Sequence, residues 1–285
     1  MEKDPLIIAG KAYNSRLLVG TGKYSSEKQA LEAIKASKSE IVTVAIRRVE
    51  IDSESRSDSI LNYITPEKYK ILPNTAGCFS AKEAIRIACL GRELLNGENL
   101  VKLEVLKDKE TLMPLMKETI VAAKELVSLD FEVMVYCTDE IDYATRLEDI
   151  GCVAIMPLAS PIGSGQGIIN PNSIKKIIKR ISCPVIIDAG IGAASEVSIA
   201  MEMGCDGVLL NTAIAKSNNP VLMAEAMRDA AISGRKCFLA GRIPVKKTAD
   251  PSSPTKGIID SWKILSKVFL KPGQGLQRKI KKFFQ

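Results

Sequence analysis

Eight short apolar runs alternate with helical stretches along the 285-residue chain, and that alternation predicts a single-domain (β/α)8 (TIM) barrel. Two further observations favour a closed barrel over an open doubly wound sheet. Most of the runs are unbroken apolar segments, as expected of parallel strands covered on both faces. The length also suits a fold that commonly needs about 250 residues as one unit. No internal repeat or low-complexity linker divides the chain.

Leu6-Ile7-Ile8, a turn at Ala9-Gly10-Lys11 and then Arg16 to Val19 read as a short hairpin leading into the first strand. Gly20-Thr21-Gly22-Lys23-Tyr24 closes that strand, and Ser26 caps a helix running to about Ala36. The second strand, Ile41 to Ala45, ends at Arg47-Arg48 before a polar loop around Ser53 to Ser59. Ile71-Leu72 ends a third strand at Pro73-Asn74-Thr75-Ala76-Gly77, with a helix from Ser80 to Leu95. The remaining pairs are Leu100 to Glu104 with Leu115 to Val127, Phe131 to Tyr136 with Ile141 to Ile150, and Val153 to Pro157 with Ile174 to Ile181. Pro184 to Asp188 precedes a helix from Ser195 to Met203, and Gly207 to Leu210 precedes one from Pro220 to Ala231. The barrel domain is expected over 1–257. A basic tail follows over 258–285, partly amphipathic from Leu276 to Gln285 and read as a solvated end.

Composition narrows the chemistry. The net charge of +7 suits anionic small molecules or an acidic protein partner, and no nucleic-acid module accompanies it. The seven cysteines are odd in number, never spaced Cys-x-x-Cys and mostly set in apolar runs, which reads as free thiols in a reducing compartment. No cleavable leader or membrane-length apolar run appears, so a cytoplasmic protein without a membrane anchor is expected. There is no histidine. Ser-His and Cys-His nucleophiles and His-ligated metals are therefore excluded, and proton transfer falls to carboxylates, lysine, tyrosine, cysteine or water.

In a (β/α)8 barrel the functional residues sit at the carboxyl ends of the strands, and the last loops commonly hold a phosphate. Here the sixth strand is followed by Ser160-Pro161-Ile162-Gly163-Ser164-Gly165-Gln166-Gly167, the seventh by Ala189-Gly190-Ile191-Gly192 and the eighth by Asn211-Thr212. Glycines let backbone N–H groups approach an anion, and the helix after Gly192 would add its partial positive charge. Val101-Lys102-Leu103-Glu104-Val105 alternates, placing Lys102 and Glu104 on one face of the fourth strand. Taken alone that pair reads as an edge strand or a buried ion pair at least as readily as a catalytic pair. Asp188 alone reads as a helix cap or turn residue, and beside these loops equally as an acid/base group. Beside glycine-rich anion loops, a lysine with two carboxylates forms a workable set for imine–enamine chemistry on a phosphorylated ketose. Burial would favour the neutral amine of Lys102 while Glu104 would favour the ammonium.

At these residues the chain resembles the thiazole synthase family, whose members build the thiazole phosphate of thiamine. The resemblance runs from about Leu6 to Gly257 through Gly20-Thr21-Gly22-Lys23, Leu72-Pro73-Asn74-Thr75-Ala76-Gly77, Val101-Lys102-Leu103-Glu104, Met156-Pro157-Leu158, Pro161-Ile162-Gly163-Ser164, Asp188-Ala189-Gly190-Ile191-Gly192 and Asn211-Thr212-Ala213-Ile214-Ala215. It thins around Ile51 to Ile60 and after Gly257. The resemblance implies a (β/α)8 barrel, often a homotetramer, acting in the cytoplasm or, if organelle-encoded, the plastid stroma. It implies condensation of 1-deoxy-D-xylulose 5-phosphate with dehydroglycine, with sulfur taken from a thiocarboxylated ubiquitin-like carrier protein. Lys102 would form the imine, Glu104 and Asp188 would move protons, and Gly163, Ala189, Gly190, Asn211 and Thr212 would bind the sugar phosphate. A dehydroglycine-producing enzyme would supply the second substrate; no metal or organic cofactor is implied.

Two other readings use the same residues. A Schiff-base aldolase would turn over the phosphorylated ketose by itself, whereas a thiazole synthase would stop at a trapped imine. A non-catalytic phosphate-binding scaffold for sulfur-transfer partners would tolerate Lys102→Ala.

Overall fold

The computed structural model describes residues 4–48 and 63–253. The expected polar loop around Ser53 to Ser59 and the basic tail from Leu276 lie outside the described residues. The chain divides into a compact unit, Met1–Arg242, and a second segment, Ile243–Gln285. Residues 243–253 carry no helix or strand.

The compact unit opens with β1 (Leu6–Ile8) and β2 (Lys11–Tyr13), an antiparallel hairpin in which Leu6 faces Tyr13. Eight parallel strands follow: β3 (Leu17–Gly20), β4 (Ile41–Ala45), β5 (Lys70–Asn74), β6 (Leu100–Leu103), β7 (Glu132–Cys137), β8 (Ala154–Pro157), β9 (Ile186–Asp188) and β10 (Gly207–Leu210). They pair in the order β8-β7-β6-β5-β4-β3-β10-β9. Single parallel bridges, Ile155 with Val185 and Leu158 with Asp188, join β8 to β9 and close the barrel. The Ile155 and Ala159 N–H groups donate to the Pro184 and Asp188 carbonyls across that seam at 2.9 and 3.1 Å. The expected (β/α)8 barrel is therefore formed.

Strand alternation sorts the side chains into two layers. Leu18, Leu72, Leu100, Met134, Met156, Ile186 and Leu209 fill the barrel interior. Their neighbours Val101, Leu103, Val133 and Val135 pack outward against the helices, as do Val42, Ile187 and Val208. Leu6, Ile8 and Tyr13 of the hairpin join the interior cluster, so β1 and β2 plug the amino-terminal end of the barrel. Arg16 fastens the plug: its guanidinium donates to the carbonyls of Asp206 (2.7 Å), Asp4 and Pro5, and pairs with the Asp4 carboxylate at 2.9 Å.

The helices are α1 (Glu27–Ser37), α2 (Ala81–Leu94), α3 (Met116–Ser128), α4 (Ile141–Ile150), α5 (Pro171–Arg180), α6 (Ala194–Glu202), α7 (Thr212–Ala215) and α8 (Pro220–Ala240). Ser26 and Ser80 cap α1 and α2 by accepting from the N–H groups of Gln29 and Glu83. Three details depart from the sequence expectation. Helix α5 starts earlier than Ile174, because Pro171 at its first turn needs no hydrogen-bond partner for its nitrogen. The short α7 has too few residues to show a period. Helix α8 runs past Ala231 through Ser233-Gly234, a pair that reads as a stop. Gly234 is there for packing: a Cβ at that position would lie 2.6 Å from the Ser198 carbonyl and 2.7 Å from the Met201 Cβ, so only glycine allows α8 to lie this close to α6.

Candidate active site

Lys102 and Glu104 have the parity of Leu100, so both point into the barrel at the carboxyl end of β6. Asp188, with the parity of Ile186, does the same at the end of β9. The side chains of all three are buried. Lys102 Nζ lies 2.5 Å from Asp188 Oδ2 and 3.9 Å from Glu104 Oε2. Strand β6 is flanked by β5 and β7, which removes the edge-strand reading.

The ladder of β6 ends at Leu103, and a side chain holds Glu104 in place beyond it. Thr75 Oγ1 accepts from the Glu104 N–H and donates to the Glu104 carbonyl, each at 2.8 Å. Asn74, one residue earlier on β5, donates to Thr43 Oγ1 at 2.6 Å and accepts the Ala76 N–H. These contacts fix the strand ends carrying the lysine and its carboxylate, and neutral polar residues in strands gave no sequence signal for them. Tyr136 on β7 also went unremarked. Its ring centroid lies 5.7 Å from Lys102 Nζ, its hydroxyl is buried without a hydrogen-bond partner among the described residues, and burial, then Asp188 and Glu104, push its ionisation far above the ordinary tyrosine range.

Above this cluster opens a cavity of about 900 Å³. Lys102, Glu104, Asp188, Gly163, Ala189, Gly190, Asn211 and Thr212 all line it, so the structure brings every candidate residue to one place. The turn after β9 is tight: Ala189 and Gly190 both have left-handed backbone, φ +62° and +75°. A Cβ on Gly190 would fall 2.0 Å from Ser160 Oγ and 2.5 Å from the Ser160 nitrogen. Glycine there lets two loops touch, and the Gly167 N–H donates to the Gly190 carbonyl at 2.9 Å. Gly20 serves Asn211 in the same way, since a Cβ would come within 2.7 Å of the Asn211 Cβ. Asn211 Oδ1 is buried and has no hydrogen-bond partner among the described residues.

The amino-terminal end of α6 has a carboxylate close by. Glu196 Oε2 accepts the N–H groups of Gly192 at 2.7 Å and Ala193 at 3.1 Å, the two residues just before α6. The signal was present in the sequence as a glutamate at the third helical position, the spacing of a capping box. Lys23, from the loop after β3, also lines the cavity and has left-handed backbone at φ +69°.

Comparison with known proteins adds a family. The profile described as "Thiazole biosynthesis protein ThiG" matches residues 7–254. Thiazole synthase from Aromatoleum aromaticum is 58% identical over 259 residues, covering 90% of this chain and 99% of that protein. Thiazole synthase from Methylobacillus flagellatus is 58% identical over 257 residues, covering 90% and 99%. Among solved structures, the Amycolatopsis orientalis BexX/CysO complex superposes with a TM-score of 0.76 at 30% identity, covering 86% of this chain and 100% of that one. A thiamine phosphate pyrophosphorylase from Pyrococcus furiosus, at 15% identity and a TM-score of 0.54, shares the fold.

Proposed function

The chain belongs to the ThiG family of thiazole synthases, enzymes of thiamine biosynthesis, and from that premise we propose how its residues carry the reaction. The phosphorylated substrate is 1-deoxy-D-xylulose 5-phosphate, and Lys102 captures its ketone. The amine adds to the carbonyl carbon, and the carbonyl oxygen leaves as water when the imine forms. Asp188, in contact with the ammonium, accepts the proton that frees the amine and returns it to the departing oxygen. Glu104, 3.9 Å from the same nitrogen, moves the proton that interconverts imine and enamine. The turns at Gly163, Ala189 and Gly190, with Asn211 and Thr212, hold the phosphate.

Dehydroglycine, from a separate enzyme, supplies the carbon–nitrogen unit. Sulfur arrives on a thiocarboxylated ubiquitin-like carrier; the solution of BexX as a complex with CysO supports a protein partner for this fold. We place the reaction in the cytoplasm or plastid stroma and in a homotetramer. Among the described residues no helix is long and apolar enough to cross a membrane.

The observation that carries this reading is a buried lysine held between two carboxylates at the floor of a glycine-walled cavity. Borohydride reduction with 1-deoxy-D-xylulose 5-phosphate tests it. The sugar is expected as a mass increase on the peptide holding Lys102. Absence of the adduct, or its appearance on another peptide, overturns the assignment. Turnover of the sugar with no second substrate would point to an aldolase instead.

A further inference from the structure

The phosphate cradle inferred above contains only neutral donors, and beside it the anionic Glu196 accepts the N–H groups of Gly192 and Ala193. A sugar phosphate carries close to two negative charges near neutral pH, and burying them without a cation beside them would be costly. Among the described residues three cations line the cavity. Lys102 is in contact with Asp188, and Arg47 donates to the Gly77 carbonyl and lies 3.7 Å from Glu83. Lys23 has no carboxylate partner among the described residues.

The position of Lys23 is specific. The point where Gly163 would carry a Cβ is 3.7 Å from Lys23 Nζ and 3.7 Å from Thr212 Oγ1. An ammonium from the β3 loop and a hydroxyl from α7 thus converge on the space that glycine leaves open in the β8 loop. The left-handed backbone at Lys23 is unfavourable for a residue with a side chain, and at this place it sets the amine against Gly163.

We propose that Lys23 is the counter-charge for the substrate phosphate, gripping it together with Gly163 and Thr212 and so selecting phosphorylated over unphosphorylated ketoses. The proposal rests on the ketose phosphate reading of the cavity, and the following experiment separates the two. Borohydride trapping on the full chain is titrated with 1-deoxy-D-xylulose 5-phosphate and with 1-deoxy-D-xylulose, for the wild type, Lys23→Ala and Lys23→Arg. Circular dichroism confirms that each variant is folded. Lys23→Ala is expected to raise the half-saturating concentration of the phosphorylated sugar about tenfold or more, as expected for losing one charge-assisted hydrogen bond. The unphosphorylated sugar should shift far less, and Lys23→Arg should recover most of the loss.

An unshifted curve for Lys23→Ala, or an equal shift for both sugars, overturns the proposal. If the wild type traps neither sugar, the ketose reading falls and titration with inorganic phosphate alone decides the role of Lys23. Phosphate binding weakened about tenfold by Lys23→Ala then upholds the counter-charge, and equal binding overturns it.

Discussion

The ammonium of Lys102 reaches across the barrel mouth, past β7 and β8, to stand 2.5 Å from Asp188 on β9. Neither residue is sequence-local to the other, and the barrel alone makes them partners. With both side chains buried, removing either leaves a charge with poor access to water.

Lys102→Met should therefore cost about 3–5 kcal/mol of stability, the usual loss when one member of a buried pair is removed. The double variant Lys102→Met/Asp188→Asn should recover a good part of it. Urea unfolding measures both, and equal midpoints for single and double variants would contradict the coupling.

Asp188→Asn keeps the shape of the site and removes the proton acceptor. Imine formation should slow by about a hundredfold or more, the usual contribution of a positioned acid–base group. Half-saturation by the sugar phosphate should move little, since the phosphate turns are distant in role from this carboxylate. Rapid-quench borohydride trapping distinguishes the slow step from weak binding.

Gly190→Ala and Gly10→Ala form a contrasting pair. Both glycines have left-handed backbone, φ +75° and +73°, so each substitution should bear about 1–2 kcal/mol of backbone strain. Gly10 has nothing within 4 Å of a new Cβ, while Gly190 would drive it into Ser160. Thermal melts should show a clear excess loss for Gly190→Ala, with sugar-phosphate trapping lost as well. Similar melts would mean the Ser160 loop yields.

Alkaline pH should unfold the protein through its thiols. Burial pushes Cys78 up to about 11 and Cys152 up to about 12 from an ordinary 9.0, and Tyr13 up to about 12 from 10.0. The unfolded chain loses its thiol protons from about pH 9 and its tyrosine protons from about pH 10, while the folded chain holds them up to about 11 at Cys78 and about 12 at Cys152 and Tyr13. Stability is therefore full below about pH 9 and falls as pH rises toward 12. Melting temperature followed across that window should drop steadily, and Cys152→Ala should flatten part of the slope. At pH 8 a thiol reagent should label exposed Cys237 far faster than Cys78.

The barrel was legible because each of its strands is a compact apolar run, and the helices with serine caps announced their own starts. Helix α8 was read as ending near Ala231, and nothing in the sequence tells Gly234, which enables the helix crossing, from a glycine that ends a helix. In the site, Lys102, Glu104 and Asp188 stood out as charges at the ends of apolar runs. Thr75, Asn74 and Thr43 did not, since their role is to lock one strand end to the next. The purpose of Lys23 depends on a neighbour far along the chain, Gly163, and on a backbone angle, neither of which is written locally.

The hairpin stoppered into the far end of the barrel by Leu6, Ile8 and Tyr13 leaves, among the described residues, the cavity over Lys102 as the doorway to the chemistry. In the proposed reaction, sugar, nitrogen donor, sulfur donor and the water expelled by imine formation would all share it. A bulky carrier seated over that doorway shuts in whatever arrived earlier and shuts out everything else. Under that proposal, the docking of the carrier fixes which molecules are already inside.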